Sequence, residues 1–270
     1  MLKTQKIIKY VAIGLAIFLT INIISAIMFG IISLGGIFGN NDNNTKDKLE
    51  NLNITNNIKF LDIEVKSTNI IIKESTTLKA ETNNKYIKLK QSNNKLTIEE
   101  QKHNLFNKNN NTDLIIYIPT NYTFNEVSIE NGAGKIDIES IYTEKLELEL
   151  GAGKVDINNL TVTKNIDIDG GAGEVNITNG NINNLDLNMG VGKLTLNSTV
   201  RGNNNIDAGI GDLDLDLIGT TYDYKIKVNK GIGNATLNGE KIKNDTYYGE
   251  GSNLINIDGG IGNININYTR

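Results

Sequence analysis

The chain has 270 residues, enough for one sizeable domain or two small ones, and its 27 basic against 31 acidic residues leave a net charge of −4. The absence of cysteine excludes a disulfide framework, a Cys-ligated zinc or iron–sulfur site and a lipid-modified cysteine anchor. The acidic balance, with arginine confined to Arg201 and Arg270, argues against a nucleic-acid partner, which needs a concentrated basic face, and against bidentate phosphate clamps.

Lys3, Lys6 and Lys9 precede a run from Tyr10 to Phe38 that holds no charged residue. Its core, VAIGLAIFLTINIISAIMFG, reaches the roughly 20 apolar residues that cross a bilayer as a helix. A cleaved signal peptide is the rival reading, but its apolar core runs to only about 7–15 residues. The sequence therefore predicts a cytoplasmic tail over 1–9, a single-pass transmembrane anchor over 10–38 and, from the flanking lysines, a C-terminal part outside the cell. Asn22 within the span reads as one tolerated amide. Residues 39–57, with NNDNNTKDK from Asn40, lack aromatics and read as a flexible linker.

From 58 to 131 the pattern is β but irregular: FLDIEV, NIIIK, KYIKLK, KLTIEE, LIIYIP and EVSIE, separated by Asn-rich turns. This region is expected to cap a following repeat array or supply its first coils. Pro119 should end a strand, because it offers no N–H to a ladder. His103 lies in a polar loop with no Cys or second His near it, so no metal or catalytic role is assigned to it.

The remainder, 132–270, repeats. GAGK carries Gly132 and Gly134, then again Gly151 and Gly153; GAGE carries Gly171 and Gly173; GVGK carries Gly190 and Gly192. GIGD follows with Gly209 and Gly211, and GIGN twice, with Gly231 and Gly233 and with Gly260 and Gly262. Successive motifs are 19, 20, 19, 19, 22 and 29 residues apart. Strict alternation follows each motif, as in KIDIE, KVDIN and DLDLD, and a second alternating stretch closes each unit, as in KLELEL and NIDID. Each repeat should supply two short strands and two turns, stacked in sequence order into a parallel, single-stranded β-solenoid of all-β class. The inward rows are Ile136, Val155, Val175, Leu194, Leu213 and Ile264, beside Ile138, Ile157, Ile177, Leu196, Leu215, Leu237 and Ile266. Asp137, Asp156, Asn176, Thr195, Asp214 and Asn265 face outward, where interleaved Asn and Thr can bond along the stack.

The fourteen glycines read as structural corners, positions of unusual φ or close backbone approach. A phosphate-cradling loop would need G-x-x-x-x-G-K-[ST] before a helix, and no such match occurs. Calcium-binding β-rolls repeat every nine residues with an Asp ligand where this chain places Lys, Glu or Asn after Gly134, Gly173 or Gly262. The in-register Asp137, Asp156 and Asp214 lack a convergent basic partner, so no catalytic, cofactor-binding or metal residue is assigned and no enzyme is expected.

The succession FLDIEV, NIIIK, LTIEE, IIYIPTNYTFNEVSIENGAGKIDI and the G-x-G ladder resembles the bacterial β-strand-repeat toast-rack, or adhesin-like, family of domains of unknown function. The resemblance runs from Ile58 to Arg270 and is firmest from Pro119 to the first GAGK. It implies a right-handed solenoid in the cell envelope, linked either to adhesion or to envelope-stress signalling, and transfers no catalytic residue. The expected function is a non-catalytic surface binding module for a cell-wall polymer or envelope protein. The alternative is a regulatory partner of a membrane signalling system, which a tail of nine residues could serve only through another protein.

Overall fold

The computed structural model describes residues 49–55, 57–101 and 112–269. They contain strands and turns and no helix, and none of them forms a helix long and apolar enough to cross a membrane. The anchor expected over 10–38 and the loop carrying His103 lie outside the described residues.

In chain order the strands are β1 (Glu50–Leu52), β2 (Phe60–Val65), β3 (Asn69–Ser75), β4 (Lys79–Thr82), β5 (Ile87–Ser92), β6 (Lys95–Glu100), β7 (Asp113–Pro119) and β8 (Thr123–Asn183). They continue as β9 (Leu185–Arg201), β10 (Asn203–Ile218), β11 (Tyr224–Ile232), β12 (Ala235–Leu237), β13 (Glu240–Lys241), β14 (Tyr247–Tyr248), β15 (Asn253–Ile261) and β16 (Ile264–Thr269). The long β8 is not one straight strand; it runs extended through several coils, whose corners keep a backbone direction compatible with pairing to the coil above and below.

Two parallel ladders carry the stack. On the first, β6 pairs with β2 and β2 with the start of β8 (Leu61↔Val127, Ile63↔Ile129). On the second, β7 pairs with β3 and β3 with Ile136 and Ile138 of β8. The irregular region thus opens the same stack that the repeats continue. Alternation explains the core: Ile136, Val155, Val175, Leu194, Leu213 and Ile264 are at most 3% exposed, one above another, and repeat-to-repeat stacking buries what no single coil could. Leu237, in the outermost coil, is only half-buried.

Two expectations are corrected. The coils of β8 and β9 pair along a third ladder beyond the two alternating strands. Pairing of β8 with β9 resumes at Gly180↔Ser198 and Ile182↔Val200 after a register shift beyond Ile177, and it buries Ile141, Leu160, Val162, Ile182 and Val200. The bulge at the shift breaks the period of two, so these residues read as turn.

The stack also does not follow sequence order to its end. β10 pairs with β15 (Ile206↔Ile257) and β16 (Leu213↔Ile264), and β15 and β16 pair on their other edge with β11 (Val228↔Ile257) and β12 (Ala235↔Ile264). The last coil in sequence is therefore the penultimate coil in space. The chain first builds the outer coil and folds back β13 and β14 antiparallel on β12 and β11. It then crosses the start of β11 through Glu250 N–H to Thr221 O (3.0 Å) and Gly251 N–H to Tyr224 O (3.0 Å), and fills the gap.

Antiparallel strands also close the other end, where β4 lies on β7, β1 on β4 and β5 on β6. Beneath them Glu100, 6% exposed, accepts hydrogen bonds from Lys66 N–H (2.8 Å), Ser67 N–H (3.2 Å), Thr68 Oγ1 (3.2 Å) and Asn84 Nδ2 (3.1 Å). Burial alone pushes its carboxyl up, but the four donors outweigh it and hold the group below the ordinary glutamate range.

Candidate functional site

The glycine motifs stack as one column along a corner. Gly192 has φ +153°, and a Cβ built on it would lie 1.7 Å from Gly173 O; one on Gly151 would lie 2.2 Å from Gly132 O. From Gly151 onward each motif glycine therefore faces a carbonyl of the neighbouring coil at a distance only hydrogen permits, whereas a Cβ on Gly134 at the first corner would meet nothing nearer than 3.5 Å. Gly260 and Gly262 rest on Gly209 and Gly211, and Gly231 and Gly233 on Gly260 and Gly262, following the inserted order. The carbonyls are directed at the next coil, which is the arrangement of a stacked turn rather than of an anion cradle.

The two strands flanking this corner carry different electrostatics. After the corner, charges are interleaved with their partners. Lys135 meets Asp137 (3.1 Å) and Asp156 (3.4 Å), Lys154 meets Asp156 (3.1 Å), and Lys193 meets Asp214 (2.8 Å). Asn176 Nδ2 donates to Asp156 (2.9 Å) and Asn265 Nδ2 to Asp214 (2.9 Å). For Asp156 the desolvation that would raise its carboxyl is outweighed by Asn176, Lys154 and Lys135. Asp214 is lowered chiefly by Asn265 and Lys193. These are the in-register carboxylates legible in the sequence, and they are neutralised where they stand.

Before the corner the outward residues form an acidic ladder instead. Pairing places Glu64 against Glu130, Asp169 against Asn188, Asn188 against Asp207 and Asp207 against Asp258, with Glu149 in the intervening coil. A second file, two residues earlier, holds Glu147, Asp167 and Asp186. Ion pairs flank this ladder, Asp62 with Lys95 (2.8 Å), Glu99 with Lys90 (2.7 Å), Glu126 with Lys145 (3.9 Å) and Asp245 with Lys227 (2.6 Å). Among the described residues, Glu64, Glu130, Glu147, Glu149, Asp167, Asp186, Asp207 and Asp258 form no ion pair, and of these Asp258 feels the charge of Lys227. Their carboxyls respond accordingly. Desolvation followed by Glu64 and Glu149 raises Glu130, desolvation followed by Asp169 and Asp186 raises Asp167, and desolvation followed by Asp258 raises Asp207.

Beside the ladder runs an open groove of about 760 Å³, walled by Glu130, Glu149, Asp169, Asp207 and Asp258 and floored by Leu150, Met189, Ala208 and the corner glycines. It crosses six coils, so five spacings of ~4.8 Å give it a length of about 24 Å. Among the described residues no three potential metal ligands cluster. Arg201 is engaged by Asn181 on a different face. The acidic ladder was the feature missed in reading the sequence, although its signal is there. KLELEL, NIDID and NLDLN place acids at every second position, and lysine occurs only once in those stretches.

Residues 58–254 match the family described as Toastrack DUF4097. The chain belongs to that family. Two crystal structures align with the toast-rack chain. One is of a proposed cell adhesion protein from Clostridium sporogenes, 15% identical over 83% of this chain and 100% of that one, with a TM-score of 0.39. The other is of a proposed adhesin from Bacteroides fragilis, 16% identical over 82% of this chain and 98% of that one, with a TM-score of 0.27. No curated protein matches the chain.

Proposed function

We propose that this toast-rack protein is a non-catalytic surface binding module, a right-handed β-solenoid held outside the cell by the apolar segment 10–38, and that its acidic face binds a cationic polymer of the envelope. The observation that carries the reading is the contrast between the faces: one neutralises its carboxylates with Lys and Asn, while the other keeps eight out of any ion pair, four of which, Glu130, Glu149, Asp207 and Asp258, line an open groove. Uncompensated charges at coil spacing repel one another, a cost that a ligand bearing regularly spaced amines removes. The groove's length suits a linear chain rather than a compact metabolite, and its apolar floor gives the backbone of such a chain a surface to lie on.

The test is retention of the full-length chain, in detergent, on polylysine-coated against dextran-sulfate-coated beads and on cell-wall material bearing free amines. Selective retention on the cationic surfaces that is lost in high salt and in a Glu149→Gln, Asp169→Asn, Asp207→Asn variant is expected. Equal retention of the variant, or none by the parent, would overturn the assignment.

A further inference from the structure

The inserted order of the last coils gives this chain a second recognition element, built from its own C-terminus. Residues 253–269 occupy a slot with two walls: β10 on one side, and β11 with β12 on the other. Taking the segment away leaves two facing strand edges, each with unpaired N–H and C=O groups. The slot is selective as well as open. Asn263, Asn265 and Asn267 donate to Asp212 (3.2 Å), Asp214 (2.9 Å) and Asp216 (3.0 Å) of one wall. Tyr268 stacks on Tyr224 at 6.0 Å between ring centroids, and Asn253 bridges the two walls, accepting from Gly202 N–H (3.0 Å) and donating to Asp223 O (2.9 Å).

What ties this segment to its own slot is short. Between β14 and β15 lie only residues 249–252, and they cross the start of β11 in a tight passage where a Cβ on Gly251 would meet Asp223 C at 2.0 Å. Short, constrained hinges favour exchange of the element they carry, because an extended hinge relieves the crossing while the contacts of the element stay the same. Both walls of the slot precede the segment in the chain, so an identical segment of a neighbouring copy meets the same two edges and fits them equally well.

We propose that this slot accepts residues 253–269 of a second copy of the chain, so that two copies join by reciprocal exchange of their C-terminal coils. A four-residue tether gives the segment a millimolar effective concentration in its own slot, roughly. Exchange is therefore expected to rise with protein concentration, as on a membrane where copies crowd, and to be negligible when the chain refolds dilute.

The absence of native cysteine makes the test direct. Asn205 and Asn256 face each other across the β10–β15 ladder, with Asn256 Nδ2 donating to Asn205 (3.2 Å). Full-length chains carrying Asn205→Cys and Asn256→Cys singly, with tags of different size, are refolded together from urea at rising concentration and then oxidised. A disulfide-linked heterodimer several-fold above that given by an Asn205→Cys and Lys241→Cys mixture, and increasing with concentration, is the expected result. The doubly substituted chain should link within itself when refolded dilute. That internal link together with a heterodimer no more abundant than background would overturn the exchange. Failure of the internal link would overturn the inserted order beneath it. The Asp216→Cys and Asn267→Cys pair on the other ladder repeats both readings should the first pair fail to fold.

Discussion

Gly192 and Gly239 both have positive φ, +153° and +80°, yet they differ in what surrounds them, and alanine at each separates conformational strain from lack of space. Around Gly239, in the turn between β12 and β13, a Cβ meets nothing within 4 Å. Gly239→Ala therefore carries only the left-handed backbone penalty, about 1–2 kcal/mol. At Gly192 the Cβ would lie 1.7 Å from Gly173 O where real contacts stay beyond 3.0 Å, so the two coils must separate locally by at least 3.0 − 1.7 = 1.3 Å. A ladder bond of about 2.9 Å stretched by that amount is no longer a hydrogen bond. Backbone strain of about 1–3 kcal/mol and two lost ladder bonds at about 1 kcal/mol each give a loss near 3–5 kcal/mol for Gly192→Ala. Urea unfolding followed by far-UV circular dichroism, with linear extrapolation, measures both. Equal losses for the two variants, within about 0.5 kcal/mol, would refute the claim that the corner is limited by space.

Other substitutions probe the remaining parts of the argument. Leu215→Ala, at a fully buried site with a coil stacked on either side, should lose about 2–5 kcal/mol in the same unfolding assay, and Leu237→Ala in the half-buried outer coil clearly less. Glu100→Gln should lose about 1.5–3 kcal/mol at pH 7 by weakening bonds to a charged acceptor. Because the folded-state carboxyl titrates below its ordinary value of 4.5, that stability is present above about pH 4.5 and disappears as the pH falls through the folded-state value, so parent and variant should converge in acid. The sign reverses on the acidic face. Glu130, Asp167 and Asp207 titrate above their ordinary values, so their mutual repulsion is present above those raised values and is relieved as the pH falls through them. Retention on polylysine should accordingly weaken as the pH falls through those raised values. Intact cells exposed to protease should lose the part beyond residue 39 while the apolar segment stays with the membrane; protection of the whole chain would overturn the proposed orientation.

What the sequence made legible, and what it hid, follows from the range of the forces involved. Alternation and recurring glycines are local signals, and they locate the buried rows from Ile136 to Ile266 and the corners from Gly132 to Gly262. The third ladder escaped because the bulge after Ile177 destroys its periodicity. The inserted coil escaped because GIGNATLN and GIGNININ offer nearly the same strand to the same neighbour, so local pattern cannot rank them. The information is present at longer range: Asp212, Asp214 and Asp216 alternate in step with Asn263, Asn265 and Asn267, a complementarity that the Asn234, Thr236 and Asn238 of the nearer repeat meet less well. Likewise, the site looked empty of chemistry because Asp137, Asp156 and Asp214 drew notice, whereas the acids that lack partners sit in the second stretch of each repeat.

The bracketed position of the final coil also restricts how a protein of this design can change its length over generations. A repeat placed directly after β16 would find no free ladder beside the strands it follows, since β15 and β16 already have neighbours on both edges. Lengthening by whole repeats must occur upstream, within the regular run from β8 to β10, where a duplicated unit of 19 residues pairs with copies of itself and leaves the closing arrangement intact.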